Sequence, residues 1–219
     1  NNLAIQGVIL SFLEQNKNFL PHVITTNIEH PSVLETCKLL ERRGVVELTI
    51  VPVEENGIVD PRKIEKVIKA NTILVSVMYA NNEIGTIQPI REIAKIVRYH
   101  KKKSGNLFSF PLFHTDAVQA VNYLKLSVEK LGVDLLSLSG AKIEGAGRVG
   151  VLYKKRNVKL SPIWGGGDQE WGLRSGTENF PEIVKFAKAL FLLENKKAKE
   201  GKRLGILQKY FLTRLSRLD

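Results

Sequence analysis

The sequence predicts an α/β fold in which a mostly parallel central sheet is flanked by helices. Helical and strand patterns alternate along almost the whole chain, as is typical of parallel strands joined by helical crossovers. Residues 72–78 form a continuous β-type run, which is typical of a strand covered on both faces. The 219 residues are 43% hydrophobic and 25% charged, an ordinary globular composition that excludes disordered, collagen-like and disulfide-scaffold classes.

The first elements follow from apolar spacing and from proline and glycine. Apolar residues at helical spacing predict a helix over residues 2–15, and residues 22–26 predict a short strand. Pro31 suits the first turn of a second helix, and Gly44 ends it.

The middle of the chain repeats the same alternation. We predict a strand at 45–53 and a turn at Asn56-Gly57. Pro61 begins a helix before the buried strand 72–78, and Pro89 begins another that continues to about Lys102.

The last part of the chain adds three strands and two helices. The predicted strands are 110–115, 133–137 and 149–153. A glycine-rich irregular segment covers 161–178, and helices are predicted over about 181–195 and 202–218. The composition changes near Gly201, which indicates a boundary; we therefore predict one domain over 1–195 and the start of a second over 196–219.

Charge and targeting signals limit the classes of partner. The net charge of +11 permits nucleic acid, anionic metabolites or an acidic protein without choosing among them. One cysteine allows no internal disulfide, and the sequence shows neither a signal peptide nor an apolar run long enough to cross a membrane. We expect a cytoplasmic protein with no membrane partner.

Polar residues follow several strands at the edge where open α/β sheets bind ligands. Asp116 follows 110–115, Lys142 follows 133–137, Asn82 follows 72–78 and His30 follows 22–26. Each has an ordinary alternative: Asp116 as a helix cap, Lys142 as a solvated lysine, Asn82 as a turn residue and His30 as a packed or capping histidine.

Asp116 and Lys142 together fit one chemistry. A lysine withdrawn from water forms a Schiff base readily, and a carboxylate at the pyridine nitrogen keeps pyridoxal phosphate protonated as an electron sink. The sequence contains no zinc-type Cys/His cluster, no Walker A motif and no Gly-x-Ser-x-Gly elbow.

The chain resembles the NifS/IscS-type cysteine desulfurases of the class V aminotransferase family. The resemblance rests on blocks that occur in family order: Glu29 to Cys37, Thr72 to Met78 with Ala80 to Gln88, His114 to Gln119, Ser137 to Lys142, and Arg174 to Asn179.

The resemblance implies a fold-type I enzyme that uses pyridoxal 5'-phosphate and acts as a homodimer. It implies that L-cysteine becomes L-alanine while sulfur passes to an enzyme cysteine as a persulfide, for iron–sulfur cluster or thiocofactor assembly with a sulfur acceptor or scaffold protein. The resemblance also implies a role for each site residue. Lys142 bonds the cofactor and moves the α-proton, Asp116 contacts the pyridine nitrogen, and Gln119 contacts the ring hydroxyl. Asn82 contacts the ring oxygen and the substrate, and His30 stacks on the ring and shuttles protons. Ser139 holds the phosphate, and Thr177 reaches the phosphate of the partner subunit.

Two departures from the family pattern qualify this prediction. Ala141 stands where the family has a phosphate-binding histidine, and the loop after Lys142 is altered. The family's persulfide cysteine has no counterpart here, since the single cysteine, Cys37, lies on an apolar helix stripe and is predicted to be a core residue. We therefore expect a fragment lacking both ends of the family pattern, unable by itself to complete sulfur transfer.

Three alternatives stay open at this point. The chain is either a desulfurase, a selenocysteine lyase, or a non-catalytic relative that binds a partner, the last because of Ala141. Nucleic-acid binding is a further alternative, since residues 196–219 hold eight Lys/Arg against two Asp/Glu. No aromatic stacking motif accompanies these charges, so the pattern does not favour it.

Overall fold

A computed structural model of the chain describes residues 1–103 and 110–217, and it contains one six-stranded sheet. The strands are β1 (His22–Thr26), β2 (Glu47–Val51), β3 (Thr72–Ser76), β4 (Leu112–Asp116), β5 (Leu135–Ser139) and β6 (Gly150–Lys154). Their spatial order is β2-β1-β3-β4-β5-β6; the first five are parallel and β6 runs antiparallel to β5. The predicted mostly parallel α/β sheet is confirmed.

Six α-helices flank or extend this sheet within the described ranges. They are α1 (Asn2–Leu13), α2 (Pro31–Arg42), α3 (Pro61–Val67), α4 (Ile90–Lys103), α5 (Val128–Leu131) and α6 (Phe180–Leu215), with 3-10 turns at Ala120–Asn122 and Gly140–Lys142. The prolines that predict helix starts do begin α2 and α3, where His30 and Asp60 cap the first turn. The sequence did not predict α5 or the 3-10 turns, because they are too short to show an apolar period.

Alternating side chains of the strands build a core on each face of the sheet. Val23, Leu112 and Leu135 belong to the cluster that packs with α1 and α2. Their neighbours along the strands, such as Ile24 and Phe113, belong to the cluster on the opposite face, with α3 and α4. Both faces are covered, which explains why the central strands are apolar without alternation.

The C-terminal helix corrects one prediction. Two helices with a break near Gly201 were expected, but α6 is a single helix of 36 residues that passes through Gly201. The glycine costs about 1 kcal/mol relative to alanine, yet strong helix formers surround it and Glu200 pairs with Arg203 across it. The end of the predicted helix, Leu218, lies outside the described residues, and the domain boundary at 195/196 stays a prediction.

The length of α6 does not make it a membrane segment. Among the residues that the structure describes, no helix is both long and apolar enough to cross a bilayer.

A buried histidine at the start of β1 gives the first testable prediction. Nδ1 and Nε2 of His22 each lie 2.8 Å from a threonine hydroxyl, of Thr72 and Thr49 respectively. Burial, with the nearby charge of Lys69, lowers the pKa of His22 to about 4. The unfolded chain takes up a proton near pH 6.5 and the folded chain does not, so stability is lost as pH falls from about 6.5 to 4.

We expect protonation of this histidine in the unfolded chain to lower the free energy of unfolding by roughly 3 kcal/mol between pH 6.5 and pH 4. In the His22→Asn variant, the free energy of unfolding measured in urea at pH 7, 5.5 and 4 will therefore fall less steeply than in the unaltered chain. Parallel pH curves for the two proteins would contradict the prediction, whatever the absolute stability of the variant.

Candidate active site

A cavity of about 960 Å³ lies at the carboxyl ends of the central strands. This volume falls within the range of about 300–1,000 Å³ typical of small-molecule sites. Residues at the ends of β3, β4 and β5 line it, together with the first residues of α1 and α2. All seven side chains singled out from the sequence line this cavity: His30, Asn82, Asp116, Gln119, Ser139, Lys142 and Thr177.

Asp116 ends β4 and is buried, at 5% exposure. Its Oδ1 accepts a hydrogen bond from the Val118 N–H two residues later, at 2.9 Å, as in an Asx turn. The 3-10 turn that follows has Gln119 as its N-cap, so Asp116 does not cap a helix. Its Oδ2 accepts a hydrogen bond from Asn1 Nδ2 at 2.6 Å. Each carboxylate oxygen retains a second lone pair, so the group can still accept a hydrogen bond from a ligand.

Lys142 closes the 3-10 turn that follows β5, the strand paired with β4. The turn depends on Gly140, where a Cβ would lie 2.8 Å from the carbonyl oxygen of Gly147. Lys142 is not withdrawn from water in this chain, because the residue is exposed at the cavity. The solvated-lysine alternative therefore describes its surroundings here. Its amine makes no hydrogen bond or ion pair with any residue in the described ranges, which leaves it available to a ligand.

His30 is the N-cap of α2, so its capping alternative is confirmed. Its Nδ1 accepts from the Ser32 N–H at 3.1 Å and lies 2.8 Å from Ser32 Oγ. The ring is exposed and lines the cavity. The ring therefore caps α2 through Nδ1, and Nε2 remains available to hydrogen-bond a ligand.

The other four predicted side chains present polar groups that make no side-chain hydrogen bond within residues 1–103 and 110–217. Asn82 and Thr177 are exposed, whereas Gln119 and Ser139 are half-buried. Gln119 and Ser139 precede 3-10 turns but make no side-chain capping bond. Polar groups that line a cavity and find no partner in the described chain are the composition expected of a ligand site.

A buried polar row lies beneath this site, and sequence reasoning gave it no role. His114 Nδ1 lies 2.8 Å from Ser76 Oγ and its Nε2 lies 2.9 Å from Ser137 Oγ, so the row crosses β3, β4 and β5. Burial lowers the pKa of His114 to about 3, which keeps the ring neutral. His114 precedes Asp116 by two residues, so the two side chains lie on the same face of β4. A polar residue inside an otherwise apolar strand is the signal that could have revealed it.

Glu29 is a second residue that the sequence did not single out. It is buried beside the cavity-lining Met78, and its Oε1 accepts from the Thr26 hydroxyl at 2.6 Å and from the Met78 N–H at 2.9 Å. Its Oε2 is buried without a hydrogen-bond partner among the described residues. Burial raises the pKa of Glu29 to about 8.

Cys37 is confirmed as a core residue. It is completely buried in the cluster between α1, α2 and the sheet. Burial raises the pKa of its thiol to about 12, and Cys37 does not line the cavity. Because the thiolate is the nucleophilic form, this cysteine is not suited to attack a ligand there.

The fold and the cavity together define the class of the protein: an α/β domain of the fold-type I kind, with its ligand site at the carboxyl ends of a mostly parallel sheet. The family model "Aminotransferase class-V" matches residues 1–219. The chain therefore belongs to the class V aminotransferase family, whose members in general depend on pyridoxal 5'-phosphate.

Individual relatives point to one branch of this family. The "Cysteine desulfurase IscS" of Dictyoglomus turgidum (strain DSM 6724 / Z-1310) is 43% identical over 212 residues, covering 97% of this chain and 50% of that protein. A solved "NifS-like protein" superposes with a TM-score of 0.89 at 37% identity, covering 99% of this chain and 56% of that one. A structure described as "SspA in complex with cysteine" superposes with a TM-score of 0.75 at 38% identity, covering 86% of this chain and 51% of that one.

The likeness to the NifS/IscS-type desulfurases inferred from the sequence is thereby confirmed. The chain spans about half the length of the curated relatives it matches.

Proposed function

We propose that this chain is the pyridoxal 5'-phosphate-binding part of a cysteine desulfurase. The observation that carries the proposal is the convergence of Lys142 and Asp116, from the ends of two paired strands, on one cavity. The amine and the polar side chains, which have no partner in the part of the chain that the structure describes, and the buried carboxylate fit a cofactor that carries an aldehyde, a pyridine nitrogen, a ring hydroxyl and a phosphate. The buried Oδ1 of Asn1, which has no partner among the described residues, is a further acceptor at the same place.

Each side chain has a defined role in this proposal. Lys142 holds the cofactor covalently through its amine and moves the α-proton of the substrate, while Asp116 accepts the pyridine N–H. Gln119 contacts the ring hydroxyl, and Asn82 the ring oxygen and the substrate. The remaining residues bind the ring and phosphate, namely His30 against the ring face, Ser139 at the phosphate, and Thr177 at the phosphate of a partner subunit in a homodimer. The cofactor itself supplies an electron sink for negative charge at the substrate's α-carbon.

The proposed substrate is L-cysteine, which the solved relative in complex with cysteine supports. The products are L-alanine and a persulfide, formed when a thiol takes the sulfur atom. Since Cys37 is buried and its pKa is raised to about 12, the accepting thiol is one other than Cys37. We propose that the sulfur then passes to an acceptor or scaffold protein for iron–sulfur cluster or thiocofactor assembly. Selenocysteine, which differs in one atom, is the alternative substrate.

The test is to titrate the chain with pyridoxal 5'-phosphate and follow its absorbance, then reduce with borohydride and map the modified peptide. We expect a yellow protein that bleaches on reduction, with the cofactor fixed on Lys142. A chain that stays colourless, or that carries the cofactor on other lysines only, would contradict the proposal and favour a non-catalytic relative. The observation behind that alternative is Ala141, which stands in place of a phosphate-binding histidine. Comparing L-cysteine with L-selenocysteine on the loaded protein would then separate the two substrates.

A further inference from the structure

A continuous chain of hydrogen bonds joins Asp116 to His30 along the wall of the cavity. Asn1 Nδ2 lies 2.6 Å from Asp116 Oδ2 and 2.7 Å from Ser32 Oγ. Ser32 Oγ lies 2.8 Å from His30 Nδ1. Asn1 and Asp116 are 115 positions apart in sequence, so the fold alone brings these groups together.

The donor and the acceptor of every hydrogen bond between Asp116 and His30 can be assigned from chemistry. The atom of Asn1 that faces a carboxylate oxygen at 2.6 Å must be the amide nitrogen, because an oxygen there would repel it. An amide nitrogen only donates, so it gives one hydrogen to Asp116 and the other to Ser32 Oγ. The Ser32 hydroxyl therefore accepts from Asn1, and its own hydrogen points to His30.

A second donor reaches the same ring nitrogen. The Ser32 backbone N–H donates to His30 Nδ1 at 3.1 Å, and a backbone N–H has no acceptor role. Two donors at Nδ1 require that this atom carries no proton. A neutral imidazole then carries its proton on Nε2, since which nitrogen is protonated is set by the bond that the other makes.

We propose that Asn1 and Ser32 are positioning residues that hold His30 in the tautomer protonated at Nε2, so that the ring presents a hydrogen-bond donor to the cavity. Nε2 makes no hydrogen bond within the described residues, and His30 lines the cavity. In this state His30 donates to the ligand and does not take a proton from it at Nε2. This differs from the proton-shuttling role implied by the family resemblance. The consequence for turnover rests on the proposed function, whereas the tautomer does not.

The test uses the unloaded chain, labelled with nitrogen isotope at its histidines, and long-range proton–nitrogen NMR. The His30 signals are assigned by their loss in His30→Gln. We expect a protonated, pyrrole-type Nε2 and an unprotonated, pyridine-type Nδ1 in the unaltered chain. Ser32→Ala removes one donor to Nδ1 and should lower the ratio of the two tautomers about fivefold, the effect of one typical hydrogen bond.

Matched variants separate this effect from a general disturbance of the helix. Ser32→Thr keeps the hydroxyl and should keep the ratio. Glu35→Gln changes a side chain of the same helix that pairs with Lys38, and it should also keep the ratio. Asn1→Ala should shift the ratio in the same direction as Ser32→Ala, because the freed Ser32 hydroxyl can then turn away from His30.

A pyridine-type Nε2 in the unaltered chain, or an unchanged ratio in both Ser32→Ala and Asn1→Ala, would overturn the proposal. Because the readout needs no cofactor, its failure is distinguishable from failure of the proposed function, which shows as absence of cofactor binding.

Discussion

Replacing Lys142 by alanine is expected to abolish the covalent retention of pyridoxal 5'-phosphate. The unaltered chain should keep the cofactor through denaturation once borohydride has reduced the bond, whereas Lys142→Ala should keep none. The reason is chemical, because only an amine can form the reducible bond with the aldehyde and the amine of Lys142 has no partner in the described chain. The measurement is the mass of the intact protein after reduction and denaturation.

The cavity provides its own control for this experiment. Lys154 on β6 also lines it, but its Nζ donates to the Val158 carbonyl at 3.2 Å. Lys154→Ala should therefore retain the reduced cofactor at the level of the unaltered chain. In Lys142→Ala, reversible absorbance changes on adding cofactor would show that the remaining residues still bind it. Full covalent retention in Lys142→Ala would contradict the assignment and place the bond on another lysine.

The sequence predicts the sheet and the edge that carries the site because both depend on local patterns and on topology. Apolar runs specify strands such as β3, and parallel strands must leave their carboxyl ends at one edge. Asp116 and Lys142 could therefore be placed together without any coordinates, since Asp116 ends one strand and Lys142 closes the turn after the next.

The contacts that orient these groups could not be predicted in the same way. The bond from Asn1 to Asp116 joins the start of the chain to the end of β4, and no local pattern encodes it. The exposure of Lys142 depends on how the turn at Gly140 packs against the following loop. The continuity of α6 was missed for the opposite reason: Gly201 is a breaker by local propensity, but its neighbours outweigh it.

Glu29 shows how burial gives an acidic residue an unexpected charge state. Its side chain is 5% exposed, two donors share its Oε1, and its Oε2 has no partner within the described residues. Because burial raises its pKa to about 8, the folded chain holds this carboxyl protonated at neutral pH. The unfolded chain releases that proton near pH 4.5, so folding takes up a proton between these two values.

Stability should therefore fall as pH rises from about 4.5 to 8, and the contribution of Glu29 over that window is roughly 3–5 kcal/mol. Glu29→Gln cannot ionise, and its carbonyl oxygen can still accept from Thr26 and Met78. We expect the free energy of unfolding of the variant, relative to that of the unaltered chain, to rise by about this amount between pH 5 and pH 8. Urea unfolding at both pH values measures it.

The comparison isolates one titrating group because every other ionisable residue, including the buried histidines, is present in both proteins and cancels in the difference. Glu41→Gln, which removes an exposed carboxylate from α2, should leave the difference between pH 5 and pH 8 almost unchanged. If Glu29→Gln and the unaltered chain instead show parallel curves, Glu29 is ionised in the folded chain. A charge that stays on a buried carboxyl needs a compensating donor at Oε2, and an open cavity that admits water beside Met78 would be the physical source of it.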